Sequence, residues 1–219
     1  IKDFYLEKKK VDFVVLAVKP QQINEFKNEI NHFNFKKIIF ISILAGKSIQ
    51  WFKKNISNEI KIVRAMPNLP ASILQGTTGV FCPRIITKTE KNDIKVILSS
   101  VGYVSFVQKE ELIDILTSIS GSGPAYYYYL TEILIEFGLK MGLKKESAKN
   151  FAYNTFIGAA KLFENQSIKN IAELRKNVTS PGGTTEAALQ VLMDRKKGLP
   201  VLVEKALRSA IKRAKKLKG

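Results

Sequence analysis

Val178-Thr179-Ser180-Pro181-Gly182-Gly183-Thr184-Thr185-Glu186 has the residue types and the order of an anion seat. Pro181 stops the element before it, and Gly182-Gly183 admit backbone conformations closed to other residues. An apolar helical pattern follows at once in Ala187, Ala188, Leu189, Val191 and Leu192. Unpaired N–H groups at the start of such a helix would face a carboxylate or a phosphate. Thr184 or Thr185 is placed to cap that helix, with Glu186 near its positive end. Taken alone, the same residues also describe a plain glycine-rich turn with an N-cap. Ser120-Gly121-Ser122-Gly123-Pro124-Ala125 is a second turn of this kind, with Pro124 in the first turn of the helix it opens. It lacks the Gly-Lys-Ser/Thr of a nucleotide-phosphate loop, and the dinucleotide fingerprint G-x-G-x-x-G occurs nowhere in the chain.

The remaining residues narrow the chemistry. One cysteine, Cys82, allows no disulfide within the chain and no thiolate metal cluster. One histidine, His32, leaves no histidine-based metal site and no Ser-His-Asp triad, so no metal is expected. Catalysis must rest on backbone groups, hydroxyls, Lys/Arg, carboxylates or a borrowed cofactor. A reducing, cytoplasmic setting fits. The 219 residues leave room for two domains of ordinary size, and 45% hydrophobic content is that of a folded chain. The longest apolar runs, such as Ile38–Leu44, are too short to span a membrane. A net charge of +17 raises the question of nucleic acid. The lysines are scattered, however, and the one dense run, Lys205 to Lys218, coincides with Leu202, Ala206, Ala210, Ala214 and Leu217 at helical spacing. That is an amphipathic helix with a solvated basic face, and no nucleic-acid partner is expected.

These loops need elements to position them. Val11–Val18 is a β-branched apolar run, the pattern of a strand buried on both faces of a parallel sheet. Lys19-Pro20-Gln21 ends it, and a helical pattern follows from Gln22 to Phe33. A second strand at Lys37–Leu44 closes in Ala45-Gly46-Lys47-Ser48, where Ser48 caps a short helix through Trp51 and Phe52. A third, Ile60–Arg64, ends in Ala65-Met66-Pro67-Asn68-Leu69-Pro70. This is the rhythm of a doubly wound α/β sheet. Two more strands are expected at Thr77–Cys82 and Tyr103–Val107, with a helix over Lys88–Ser100. Ligands of such sheets lie beyond the carboxyl ends of the strands, where Lys19-Pro20, Ala45-Gly46 and Met66-Pro67-Asn68 fall. From about Gln108 the periodicity is helical, over Glu111–Ser118, Pro124–Met141, Lys145–Glu164, Ile168–Lys176, Thr185–Arg195 and Pro200–Lys218. Pro124–Met141 is apolar on most faces, as for a helix in a bundle core or a subunit interface. The domains divide as 1–108 and 109–219.

Ala17-Val18-Lys19-Pro20-Gln21, Met66-Pro67-Asn68-Leu69-Pro70, Ser120-Gly121-Ser122-Gly123-Pro124-Ala125-Tyr126 and Val178–Thr185 resemble, in order and spacing, pyrroline-5-carboxylate reductases. Gly158-Ala159-Ala160-Lys161 is similar too, and the resemblance covers essentially the whole chain. It implies a Rossmann domain followed by an all-α dimerisation domain. It also implies reduction of the C=N bond of 1-pyrroline-5-carboxylate to L-proline with NADPH or NADH, the last step of proline biosynthesis. Homodimers are implied as well, assembling in the family into larger rings, a decamer of five dimers being one. Carried over by position, Ala17, Val18, Lys19, Pro20, Ala45, Gly46, Asn68, Asn177 and Val178 would border the cofactor. Ser180, Gly182, Gly183, Thr184 and Thr185 would hold the substrate carboxylate. Thr117 would face the imine nitrogen as the catalytic hydroxyl.

Two features depart from the family. Leu69 stands where many relatives have threonine, with a tuning effect expected. The first βαβ unit, with the glycine-rich pyrophosphate loop, would occupy about 30 residues or more before Val11 and is missing. A parallel sheet without its central strand leaves backbone unpaired, so further sequence is expected upstream. The rival readings are a truncated non-catalytic relative kept for oligomerisation or regulation, and a basic nucleic-acid-binding protein. A third is an enzyme of the β-hydroxyacid or prephenate dehydrogenase group, whose turn motifs differ.

Overall fold

The computed structural model describes residues 11–18, 22, 35–165 and 170–217. They contain a five-stranded sheet in the order β1-β2-β3-β4-β5: β1 Phe13–Leu16, β2 Ile39–Ser42, β3 Lys61–Met66, β4 Gly76–Phe81 and β5 Gly102–Val107. β1, β2 and β3 are parallel, in the register Leu16↔Ser42↔Arg64. β4 runs antiparallel to β3, and β5 parallel to β4. The sheet is therefore mixed, with β4 reversed against the parallel strands β1 to β3. The reason is local: only a 3-10 turn, Leu69–Ile73, joins β3 to β4, which is too short for a crossover. The helix expected at Gln22–Phe33 lies outside the described residues.

Strand chemistry explains the two apolar layers. β2 (Ile-Phe-Ile-Ser) is buried at all four positions, so its residues alternate between two cores. Phe40 packs with Leu16, Ile62 and Phe52, the last from helix α1 (Ile49–Asn55). Ile39 and Ile41 pack on the other face with Val63, Val80, Ile94 and Leu98, the last two from helix α2 (Lys88–Ser99). Each helix begins where its sequence says. Ser48 accepts from the Trp51 N–H at 3.0 Å. Thr87 and Glu90 form a reciprocal capping box at the start of α2.

After β5 come helix α3 (Leu112–Leu116), a π-helical turn (Thr117–Gly121), and α4 (Gly123–Lys140), α5 (Lys145–Asn165), α6 (Ile171–Asn177), α7 (Thr184–Leu192) and α8 (Leu199–Lys216). The described residues up to Pro124, with those from Leu207, cluster as one compact unit, and Ala125–Ala206 as another. α3 and the π-turn thus group with the sheet. In the helical unit Gly138 lies against Ala148 and Leu143, bringing α4 and α5 together. Tyr127 stacks on Phe156 at 5.7 Å. Yet Tyr129 is 64% exposed and Phe137 61%. Of the two environments the sequence allows for Pro124–Met141, a core within this chain is not what these residues have.

Lys61 Nζ lies 2.6 Å from Glu90 Oε1, tying the start of β3 to α2. Burial works to raise the Glu90 pKa, but hydrogen bonds from Lys61 and Thr87 outweigh it and hold the carboxyl below its usual range. A carboxyl whose pKa is lower folded than unfolded contributes stability in full above its unfolded value, about 4.3, and loses it as pH falls through the folded value. Glu90→Gln should therefore cost about 1 kcal/mol at pH 7. The gap from wild type should close in thermal melts taken at progressively lower pH.

Candidate active site

The sheet unit carries Asn68 and Thr117 of the predicted site residues. Asn68, just past the carboxyl end of β3, stands at the N-cap of the 3-10 turn but makes no capping bond there. Its Oδ1 accepts from the Thr77 N–H at 2.8 Å. Its Nδ2 donates to the Ser120 carbonyl at 3.1 Å. The Met-Pro-Asn loop and the Ser-Gly-Ser-Gly turn, 52 residues apart, thus meet. Gly79 on β4 has no room for a side chain, because Leu116 of α3 lies directly on it.

The π-turn follows from its hydroxyl-rich sequence. A widened helical turn disturbs the regular carbonyl pairing, and such turns recur at functional sites. Here the Ser122 N–H donates to the Thr117 carbonyl at 2.8 Å. Thr117 Oγ1 donates to Ile113 O at 2.7 Å, Ser118 Oγ to Ile115 O at 2.7 Å, and Ser120 Oγ to Leu116 O at 3.0 Å. The Thr117 proton is thus committed to its own helix, leaving oxygen lone pairs for a ligand.

Behind the turn lies a charge cluster that pattern reading passes over. Arg64 of β3 is 2% exposed. Its Nη1 lies 3.0 Å from Glu110 Oε1 and its Nη2 3.5 Å from Asp114 Oδ1. Glu110 Oε1 also accepts from the Ile49 N–H at 2.9 Å, at the start of α1. A buried cation demands such partners. An arginine ending an apolar strand, with two carboxylates spaced i, i+4 beyond, was the available signal.

On the strand edge, Ala17 is exposed, and Val18 and Ala45 are half-buried. Gly46 (φ +75°) is buried, with Leu217 against its α-carbon. Lys19 and Pro20 lie outside the described residues. Cys82 is pushed up to about 11 by burial, against the pull of Lys91, so it is a neutral thiol at physiological pH. Among the described residues no group of three or more His, Cys, Asp or Glu side chains converges as a metal site.

The helical unit carries the residues expected to hold the substrate carboxylate. Asn177 ends α6, and Val178 is 61% exposed. Thr179 Oγ1 donates to Arg175 O at 2.6 Å, and the Gly183 N–H to Ser180 O at 3.0 Å. Gly182 has φ +70°, the left-handed conformation its residue type permits. The N-cap of α7 is Gly183, with no side-chain capping bond, so neither Thr184 nor Thr185 caps the helix. The helix starts at Thr184 itself, and Glu186 supplies the local acceptor: its Oε2 takes the Gly182 N–H at 2.7 Å. The N–H groups of the first turn have no intrahelical carbonyl to bond.

A sequence profile described as pyrroline-5-carboxylate reductase dimerisation matches residues 110–217. The chain is 34% identical over 206 residues to pyrroline-5-carboxylate reductase of Pseudomonas aeruginosa, covering 94% of this chain and 74% of that one. The chain belongs to the pyrroline-5-carboxylate reductase family. It is 38% identical over 186 residues to pyrroline-5-carboxylate reductase 2 of Bacillus subtilis, covering 84% of this chain and 65% of the relative. Among solved structures, a pyrroline-5-carboxylate reductase from Coxiella burnetii superposes with a TM-score of 0.82 at 40% identity, over 95% of this chain and 76% of that one. The Plasmodium falciparum pyrroline carboxylate reductase with NADP bound gives 0.81 at 31% identity, over 95% and 78%. The sheet followed by helices therefore has the Rossmann-like architecture of the reductase family.

Breaking the Arg64 cluster is expected to be costly. Arg64→Ala leaves Asp114, 1% exposed, without its cation. A loss of about 3–5 kcal/mol is expected in denaturant unfolding, against far less for Glu59→Ala, whose exposed pair with Lys36 is a surface contact.

Proposed function

We infer that the chain reduces the C=N bond of 1-pyrroline-5-carboxylate to L-proline, using a reduced nicotinamide dinucleotide, NADPH or NADH. The observation that carries this is the Asn68–Ser120 hydrogen bond. It joins two of the segments that resemble the reductases, at the carboxyl edge where a doubly wound sheet takes its ligand.

The exposed part of that edge suits a flat dinucleotide. Ala17, Val18 and Ala45 are small, and Asn68 stands on the same edge; with Lys19 and Pro20 they would border the nicotinamide half. Gly46 would contribute only from beneath Leu217. Asn177 and Val178 are the residues of the helical unit assigned to the cofactor. When bound, the reduced nicotinamide supplies the hydride.

The residues of this chain bind and orient. Ser180, Gly182, Gly183, Thr184 and Thr185 hold the substrate carboxylate with hydroxyls and first-turn N–H groups, and need no titrating partner. Glu186 holds the Gly182 N–H, so a substrate carboxylate that uses this donor displaces it. Thr117, whose proton is engaged by Ile113, accepts the N–H of an already protonated imine and does not protonate it. It thereby orients the carbon that receives hydride. No step requires a histidine, thiolate or metal.

The apolar face of α4 finds its place in the same reading. Residues 110–217 match a dimerisation domain, and Tyr129, Leu134 and Phe137 would be covered by a second copy. Dimers could close further into a ring, with a decamer of five dimers as the proposed assembly. Among the described residues no helix is long and apolar enough to cross a membrane. A reducing, cytoplasmic setting is proposed on other grounds, since it fits a chain with one cysteine.

The test is oxidation of NADPH and of NADH by the full-length protein in the presence of 1-pyrroline-5-carboxylate. Turnover dependent on that substrate is expected, and none with either nucleotide would overturn the reading. Thr117→Ala should lower kcat about 10- to 100-fold, as for a lost orienting hydrogen bond. Thr185→Ala should raise the substrate KM several-fold with kcat nearly kept, as loss of a binding contact worth about 1 kcal/mol requires. For the interface, Phe137→Asp should shift the sedimentation of the protein toward monomer while leaving its helical circular dichroism intact.

A further inference from the structure

We propose that Asn68 is a positioning residue: its carboxamide fixes the π-turn that carries Thr117 to the end of β3, and it acts on the reaction through that turn. This rests on the reductase reading above.

An asparagine at an N-cap ordinarily spends its side chain on the turn it begins. Asn68 has the extended backbone of an N-cap, φ −118° and ψ 171°, yet makes no bond to its own 3-10 turn. Both ends of the amide go elsewhere. An N–H at Thr77 and a carbonyl at Ser120 require opposite ends of the group, so these partners also fix its orientation. Leu116 on Gly79 and the Arg64–Asp114 pair seat α3 against the sheet. Both holds come before Thr117 in the chain and do not reach the far side of the π-turn. Asn68 supplies that hold, at Ser120, three residues beyond Thr117. Met66 lies beside the same turn, 3.5 Å from where a Cβ on Gly121 would stand, and closes its flank. Thr117 then has one place relative to the strand edge.

Asn68→Asp is the informative variant. It keeps the size and the acceptor for Thr77 but sets a carboxylate oxygen against the Ser120 carbonyl. Asn68→Ala removes both bonds. Wild-type, Asn68→Asp, Asn68→Ala, Thr117→Ala and Asn68→Asp/Thr117→Ala proteins are compared, all full length, with amide hydrogen exchange at Thr77 and Ser122 measured beside the kinetics. Asn68→Ala is expected to speed exchange at Thr77, whereas Asn68→Asp should leave Thr77 protected and speed exchange at Ser122 alone. Asn68→Asp should lower kcat at least tenfold, with the KM for substrate and nucleotide within threefold of wild type. In the Thr117→Ala background it should cost less than threefold more.

A raised nucleotide KM with unchanged kcat would make Asn68 a cofactor contact with no positioning role and overturn the proposal. So would an undiminished loss in the Thr117→Ala background, or unchanged exchange at Ser122. An inactive wild type counts against the reductase reading alone, because the exchange pattern still decides whether Asn68 holds the turn.

Discussion

The guanidinium of Arg64 is the constraint around which the sheet unit is arranged. A cation 2% exposed survives only with its charge balanced and its donors engaged. Glu110 and Asp114 provide this, which obliges α3 to begin where it does, across the end of β3. Glu110 also takes the Ile49 N–H, so the same carboxylate ties down the start of α1 and the loop that precedes it. One buried charge thereby sets the relation of the Ala45–Ser48 loop, the strand end and the helix leading to the π-turn. A hydrophobic residue at position 64 could fill the space but could not choose among orientations of α3.

Downstream of that anchor, polar satisfaction shapes the turn. Thr117, Ser118 and Ser120 each return a hydroxyl proton to a carbonyl three or four residues back. Side-chain bonds of this kind compete with regular helix pairing and favour a bend. The run Thr-Ser-Ile-Ser-Gly-Ser-Gly is thus a prescription for a widened turn, followed by Pro124 where the next helix can accept a residue with no N–H. Gly79 on β4 answers the same need from beneath, since any side chain there would push Leu116 and the turn outward.

Much of this was legible in the residues. Strands β1 to β3 announced themselves because a strand buried on both faces must be apolar without interruption, as Ile39–Ser42 shows. The Ser48 cap and the helix at Lys88–Ser99 followed from local chemistry. What escaped was non-local. The antiparallel direction of β4 depends on the length of the connection from β3, not on any residue in β4. The capping role expected of Thr184 or Thr185 failed because propensity names suitable residues but not the position at which the helix starts, and Gly183 holds that position. The Arg64 cluster escaped because periodicity registers charge as surface unless partners distant in sequence are known. Family resemblance points to Thr117, and only geometry shows that its hydroxyl donates to the Ile113 carbonyl.

That last point bears on how such a site can work. In each unit the polar groups assigned to the ligand are already partly satisfied within the chain: Thr117 by Ile113, Gly182 by Glu186, Asn68 by Thr77 and Ser120. A substrate therefore gains from each group only the difference between its own hydrogen bond and the one it joins or replaces. At Thr117 nothing is replaced, because accepting and donating use different parts of the hydroxyl, and orientation costs no competing bond. At Gly182 a substrate carboxylate, in the proposed reading, would exchange with the internal one of Glu186, giving little net affinity but keeping selectivity for an anion. A site built from these residues, as proposed, would bind its substrate modestly and concentrate its interaction energy at the imine, where geometry governs hydride transfer.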